Sequence, residues 1–316
     1  MSKNIDRRAF IKQSAAIGAA SFVGSGFVAG CGKKGASTVK RTDIDIAVAQ
    51  GADYYANTMK AVQELGGMGA FVPQGSKVAI LANPQRNNPG AFTKPDVLRA
   101  AIKMCKEAGA GEVTCISQLP DQNWDATGLK KVIEEEGAAL VIVDRNDETQ
   151  FKTIPVPKGI ALTEAQIMNE FYNHDVYIDM PITKDHAGNK FTGTMKNHMG
   201  LSSRTTNRSF HKENWTTDVD AIDHLEQCIA DLNTVLTPDL CIVDATEFIT
   251  TNGPFGPGEI ITPKKVVAGT DRVAIDAYCC TLWGLEAQNI LQIKKAHAHG
   301  LGEIDLTKKK VKETSV

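Results

Sequence analysis

The 316-residue sequence has no C-x-x-C pair, no G-x-S-x-G elbow and no G-x-G-x-x-G after a strand-like run. The first absence argues against an iron–sulfur cluster on local ligands. The second removes the strained turn on which an α/β-hydrolase mounts its serine. The third removes the loop that cradles a dinucleotide. A GPFGPG segment at residues 253–258 does not replace it, because its prolines lack the amides such a loop needs. No internal repeat is visible. Ala15 to Gly30 is too short and too rich in glycine for a permanent membrane span.

The N-terminus instead carries an address. Arg7 and Arg8 form a twin-arginine pair, a weakly apolar run follows, and Val28-Ala29-Gly30-Cys31 forms a lipoprotein cleavage box. Asp6 stands where twin-arginine signals usually have Ser or Thr, so both that route and the general secretory route stay open. Residues 1–30 are read as the signal peptide, residues 31–43 as a lipidated Cys31 with a flexible tether, and residues 44–316 as the folded domain. The partners implied are the export machinery and a membrane held through Cys31, which places the chain at the cell envelope. Beyond residue 30 the chain has 31 basic against 36 acidic side chains, net −5, which argues against a nucleic-acid partner. Its six further cysteines sit inside apolar runs and read as buried thiols.

The domain alternates strand and helix signals. Ile44–Ala49 suits an edge strand, and Tyr54–Leu65 has helical spacing up to Gly66-Gly67. KVAILA (77–82) is a continuous apolar run of the kind buried on both faces of a parallel sheet. Thr93 and Pro95 open a helix, with Thr93 as N-cap. A strand at 112–117, a helix at 125–136 and a strand at 139–143 follow. Thr163 with Gln166 makes a capping box that predicts a helix over 163–172. After the strand 176–180 comes an irregular polar segment (190–217). A strongly periodic helix at 218–236, strands at 240–243 and 266–268, and helices at 271–282 and 286–299 complete the chain. The pattern implies one large α/β domain: a mostly parallel open sheet with helices on both faces and a polar irregular insertion.

In such a sheet ligands gather at the carboxyl ends of the strands. Asn83, Asp144, Lys184 with His186, Asp244 and Asp271 all follow predicted strands. The densest stretch is 175–200, which gathers Lys184, His186, Lys196, Asn197 and His198 among Gly188, Gly193 and Gly200. Lys184 and Lys196, with Asn197 and the Thr192-Gly193 backbone, suit a carboxylate or phosphate, so the partner is a small anionic molecule. Lys184, His186, Lys196 and His198 are the catalytic candidates, with lysines stabilising charge and a histidine as acid/base. His186 with Asp244 offers a mixed site for a divalent metal. His211 and His224 read as capping or packing, and Cys279-Cys280 as helix core.

The ordered pieces GGMGAFVPQGSKVAILAN (66–83), Thr93-x-Pro95, Met180-Pro181…Lys184-x-His186…Thr192-Gly193…Lys196-Asn197…Gly200, Val243-Asp244, Asn252-Gly253-Pro254 and Gly269-Thr270-Asp271-x-x-Ala274-x-Asp276 resemble the domain-of-unknown-function 362 family. The resemblance implies a single α/β domain without an assigned activity. It adds Thr93, Asn252 and Gly253 to the ligand-binding candidates, beside Asn83, Asp244 and Asp271 from the strand ends. Some relatives carry an iron–sulfur segment that links the family loosely to redox proteins; this sequence lacks that segment. Two functions stand: a membrane-tethered enzyme acting on a small anion, metal-assisted or redox-linked, and a non-catalytic envelope protein that binds a small molecule or metal.

Overall fold

The computed structural model describes residues 39–316. The signal, the cleavage box and Cys31 lie outside the described residues. In chain order the elements are β1 (Ile46–Gln50), α1 (Tyr54–Glu64), β2 (Lys77–Ala82), α2 (Pro95–Glu107), β3 (Glu112–Ser117), α3 (Asp121–Ala126), α4 (Leu129–Glu135) and β4 (Ala139–Ile142). A hairpin of β5 (Phe151–Pro155) and β6 (Glu164–Met168) leads to β7 (Val176–Met180), α5 (Thr194–Asn197), α6 (Arg204–Phe210) and α7 (Val219–Leu232). Then come β8 (Leu240–Ala245), the short pair β9 (Phe248–Ile249) and β10 (Ile260–Ile261), β11 (Lys265–Gly269), α8 (Arg272–Thr281), α9 (Leu291–Ala298) and β12 (Val311–Ser315).

Eight strands form one sheet in the order β12-β1-β11-β8-β7-β2-β3-β4. It is mostly parallel; β11 alone runs against its neighbours β1 and β8. The central strands are apolar in most positions because both faces are covered, and the acids Asp179 in β7 and Asp244 in β8 are exceptions. In β2, Val78, Ile80 and Ala82 face the layer of α1 to α4, while Ala79 and Leu81 face the layer of α5 to α9 and the hairpin. The fold class read from the sequence is therefore the one observed.

Several local expectations change. Thr163–Tyr172 is a strand and a 3-10 turn rather than a helix. Ala165 and Ile167 alternate into the core, and the β6 backbone pairs with β5, which outweighs the local capping signal. The backbone N–H of Gln166 goes instead to Thr206 Oγ1, tying the hairpin to α6. The helix expected over 125–136 is two helices, separated at Gly128, which is left-handed at φ 73°. The last helix likewise splits into a 3-10 turn and α9. Thr93 is not an N-cap: Lys94 holds that position without a side-chain cap, and Pro95 opens α2. Nor is β1 the edge strand. The charged tail supplies β12 outside it, and Lys312 and Glu313 suit a solvated edge.

Candidate ligand-binding cleft

Parallel strands end on one side, and there a cleft of ≈ 480 Å³ opens between the ends of β2, β3 and β4 and the segment from Lys184 to Trp215. This volume is that of a small-molecule site, about 300–1,000 Å³. Five side chains in its wall are cationic: Lys184, Lys196, Arg145, Arg204 and Arg208. Among the described residues that line it, none is acidic. Asn83, His186, Thr192, Asn197, His211 and Trp215 supply the rest of its polar and aromatic surface.

The deep end is built by a short ladder. Lys184 N–H donates to Thr192 O (3.2 Å) and Thr192 N–H to Lys184 O (2.9 Å), which pins Lys184 beneath the polar segment. Lys184 is 1% exposed, and its Nζ donates to Ala91 O (2.6 Å) and, at 3.4 Å, to Asn83 Oδ1. Asn83 Nδ2 donates to Asn197 Oδ1 (3.2 Å), and Asn197 Nδ2 to Leu81 O (3.0 Å) and Asp179 Oδ1 (2.8 Å). The two amides thus lock Lys184 to the central strands. Burial, helped by the Lys196 charge, brings the Lys184 amine down to about 7. Lys196 rests against Met199 Sδ at 3.5 Å and has no ion pair among the described residues. Burial lowers it to about 8, against the pull of Glu226. Thr192 Oγ1 is buried with no partner.

The two imidazoles of the cleft share one arrangement. His186 Nδ1 is 2.8 Å from Ala187 O and His211 Nδ1 is 2.8 Å from Asn207 O, so each ring donates there and keeps an Nε2 lone pair. Both pack on Trp215, with ring centroids at 5.4 and 4.8 Å. Burial holds His186 well below the usual imidazole range and His211 at about 4, so both are neutral at pH 7.

Other sequence candidates fall elsewhere. His198 begins a 3-10 turn and points into the core, with Nε2 3.8 Å from Asp179 Oδ2, and it does not line the cleft. Asp244 does not meet His186. Strand alternation turns it toward the start of α2, where its carboxylate accepts from Lys94 N (2.7 Å), Thr246 N (2.9 Å) and Thr246 Oγ1 (2.6 Å). Asp271 follows the antiparallel β11 and so emerges at the opposite edge, where it caps α8 and pairs with Lys309 at 2.8 Å. Thr93 Oγ1 donates to Met180 O (2.9 Å) and accepts from Asn83 N, which makes it a strut behind the cleft. Gly193 packs so closely on Asp276 that a Cβ would collide with the carboxylate. That carboxylate accepts from Thr194 N (2.7 Å) and Met195 N (3.2 Å), holding the turn that presents Lys196. Gly253 lies against Asp185 O with no room for a Cβ, and its N–H donates to Asp185 Oδ2 (2.7 Å). Asn252 braces the same turn through Pro257 O, and Pro254 and Phe255, which follow Gly253, reach the cleft.

Residues 77–281, more than half of the chain, match the model for the domain of unknown function DUF362. The chain belongs to this family. Among curated proteins none matches. Among solved structures it is similar to the lactate racemase apoprotein of Thermoanaerobacterium thermosaccharolyticum, at 16% identity over 82% of this chain and 57% of that one, with a TM-score of 0.48. A Thermotoga maritima protein from a structural genomics consortium is similar at 13% identity over 74% and 60%, with a TM-score of 0.47. The chain spans less than two thirds of the length of either.

Sequence reasoning passed over Arg145, Arg204, Arg208 and Trp215; it read His211 as capping or packing, and His211 does cap α6 through Asn207 O, but it also lines the cleft. Arg145 had a usable signal, since it follows the end of β4. Arg204 and Arg208 show one only as an i,i+4 pair in a segment with no apolar period. As to metals, no group of three His, Cys, Asp or Glu side chains converges among the described residues. All six cysteines there are buried and unpaired, and burial raises their thiols, to about 12 for Cys105. None is placed as a nucleophile.

Proposed function

We propose that this protein is an enzyme that binds a small anionic molecule in the cleft and acts on it by proton transfer. The observation that carries the reading is the burial of two lysines, with no salt bridge among the described residues, in a cleft wall that holds no acid; the buried Glu226 acts on Lys196 only as a nearby charge. An unpaired buried ammonium is costly, and an anionic ligand offsets that cost. Lys196 binds the anion. Lys184, whose amine titrates near 7, sits where a proton-transfer group works best, and Asn83 aims it. The neutral His186 offers an acceptor that orients a substrate hydroxyl or takes up a proton. His186, without Asp244, lacks the ligand set for a metal of its own, so a divalent ion would need donors from the substrate.

Deuterium uptake from D2O into short carboxylic and phosphorylated acids, read by proton NMR, tests this proposal. Exchange that disappears in Lys184→Met and in His186→Ala supports it. Tight binding of these acids with no chemical change in any of them would make the chain a binding protein instead. We further propose that the domain works at the cell envelope, exported by residues 1–30 and anchored by acyl chains on Cys31. Cys31→Ala then moves the protein from the membrane to the soluble fraction; retention at the membrane would refute the anchor. Among the described residues no helix is long and apolar enough to cross a membrane.

A further inference from the structure

The cations of the cleft are of two kinds, and they lie at different depths. Lysines occupy the buried end and arginines the exposed end: Arg145 and Arg208 are exposed, and Arg204 is half-buried. Burial brings the lysines into the neutral range, whereas a guanidinium keeps its charge at any physiological pH. The deep end therefore varies with proton transfer, and the outer end is a permanent positive surface.

The arginines are brought together by the fold. Arg204 and Arg208 are four residues apart on α6, and so share a face. Arg204 N–H donates to Arg145 O at 3.1 Å, which places the β4 loop beside them. Like charges at this spacing destabilise a helix slightly. Several cations elsewhere on the surface meet acids. Arg99 binds Glu135 (2.5 Å) and Glu136 (2.8 Å), and Lys130 binds Asp121 (2.7 Å). The cleft arginines have no ion pair among the described residues; Arg204 reaches only the amide oxygen of Asn146, at 3.2 Å. The nearby acids are engaged otherwise, Glu148 with Thr205 Oγ1 (2.9 Å) and Asp144 with Asn146. A fourth guanidinium, Arg86, stacks on Phe255 at the cleft mouth, 5.2 Å from the ring centroid.

We propose that the substrate carries two anionic groups: a carboxylate-like end that enters to Lys184 and Lys196, and a phosphoryl group held outside by Arg145, Arg204 and Arg208. Each guanidinium offers a planar fork of donors, and three of them supply more than a carboxylate has lone pairs to accept. A phosphoryl group, with three acceptor oxygens and nearly two negative charges, matches the set. Trp215, His186, His211 and Phe255 line the same cleft and suit a short carbon chain. The inference rests on the anion-binding reading of the deep end and adds the class of substrate to it.

Titration calorimetry with glycerate, 3-phosphoglycerate and inorganic phosphate tests it, because the first two differ only in the phosphoryl group. The phosphorylated acid binds at least roughly tenfold more tightly than glycerate, the gain expected of charge-assisted hydrogen bonds. In Arg204→Gln/Arg208→Gln that advantage disappears while glycerate binding stays, and inorganic phosphate weakens in parallel. In Lys196→Met glycerate binding is lost and phosphate binding persists. Lys130→Gln, an exposed cation on another face, leaves all three unchanged. An advantage that survives the double arginine variant, or equal affinity for the two acids, overturns the phosphoryl site. Glycerate binding that is indifferent to Lys196→Met overturns the deep site instead, so the two failures are told apart.

Discussion

The two faces of the sheet are covered by the same kinds of element but not by the same chemistry. On the α1–α4 face the buried side chains are mostly apolar, with Trp124, Leu98 and Ile102 among the largest, and the buried acid Asp244 is held by hydrogen bonds from Lys94 and Thr246. On the other face Asp179, Lys184, Lys196, Asn197, Glu226, Arg272 and Asp276 are buried beside the apolar cluster. There, most of the buried charges are held by hydrogen bonds. Arg272 donates to Leu236 O (2.5 Å) and Asn233 O (2.8 Å), and Asp276 accepts two amide N–H groups. Burial pushes Asp179 well above the usual carboxylate range and Asp276 to about 7, so Asp276 is partly protonated at neutral pH. One face supplies stability from packing. The other gives up some of that stability to hold a few polar groups still beside the cleft.

The contrast can be broken in order of effect. Trp124→Ala, on the apolar face, lowers unfolding free energy by about 3–5 kcal/mol in urea titration, while anion affinity in the folded protein stays unchanged. Asp276→Ala leaves two buried N–H groups without an acceptor. It costs about 2–3 kcal/mol and, by loosening the turn that presents Lys196, weakens anion binding as well. Lys196→Met does the opposite to stability: the ligand-free protein gains about 1–2 kcal/mol, because a buried, poorly paired amine is gone. The same change costs roughly tenfold or more in anion affinity by calorimetry.

The pH dependence sharpens the comparison. Lys184 titrates at about 7 in the fold and at its ordinary 10.5 when unfolded. Between those values the unfolded chain binds more protons, so stability contributed by this site rises with pH from about 7 to about 10. Anions prefer the protonated amine, so their affinity falls as pH rises through 7 to 8, and binding near pH 8 takes up protons. Calorimetry in two buffers of different ionisation heat reads this uptake; its absence would show that the lysines are not the anion's partners. At the small end, Lys77→Ala removes an exposed pair with Glu112 and changes stability by no more than about 0.5 kcal/mol.

Much of the layout was legible in residue pattern. KVAILA, the strand before Pro181 and the run at 240–243 announce two-sided burial, and the crowding of Lys184, His186, Lys196 and Asn197 past a strand end announces a site. What stayed hidden depended on direction and alternation. Asp271 and Asn83 both follow strands, yet β11 is reversed and sends Asp271 to the far edge. Asp244 and Lys184 also follow neighbouring strands, but the period-2 pleat turns Asp244 toward α2. His198 sits two residues after Lys196, and one more step around a tight turn points it into the core. Arg204 and Arg208 carry no apolar period that would single them out, and their partner Arg145 is remote in sequence.

The sequence by itself determined the layered α/β class, the apolar central strands and the cluster of lysines and amides at 184–197, because burial on two faces and helical spacing are properties of short segments. Only the tertiary structure decided which charged residues share the cleft. That choice depends on the direction of β11, the pleat of β8 and the docking of α6 beside the β4 loop, and each is set by contacts between segments far apart in the chain.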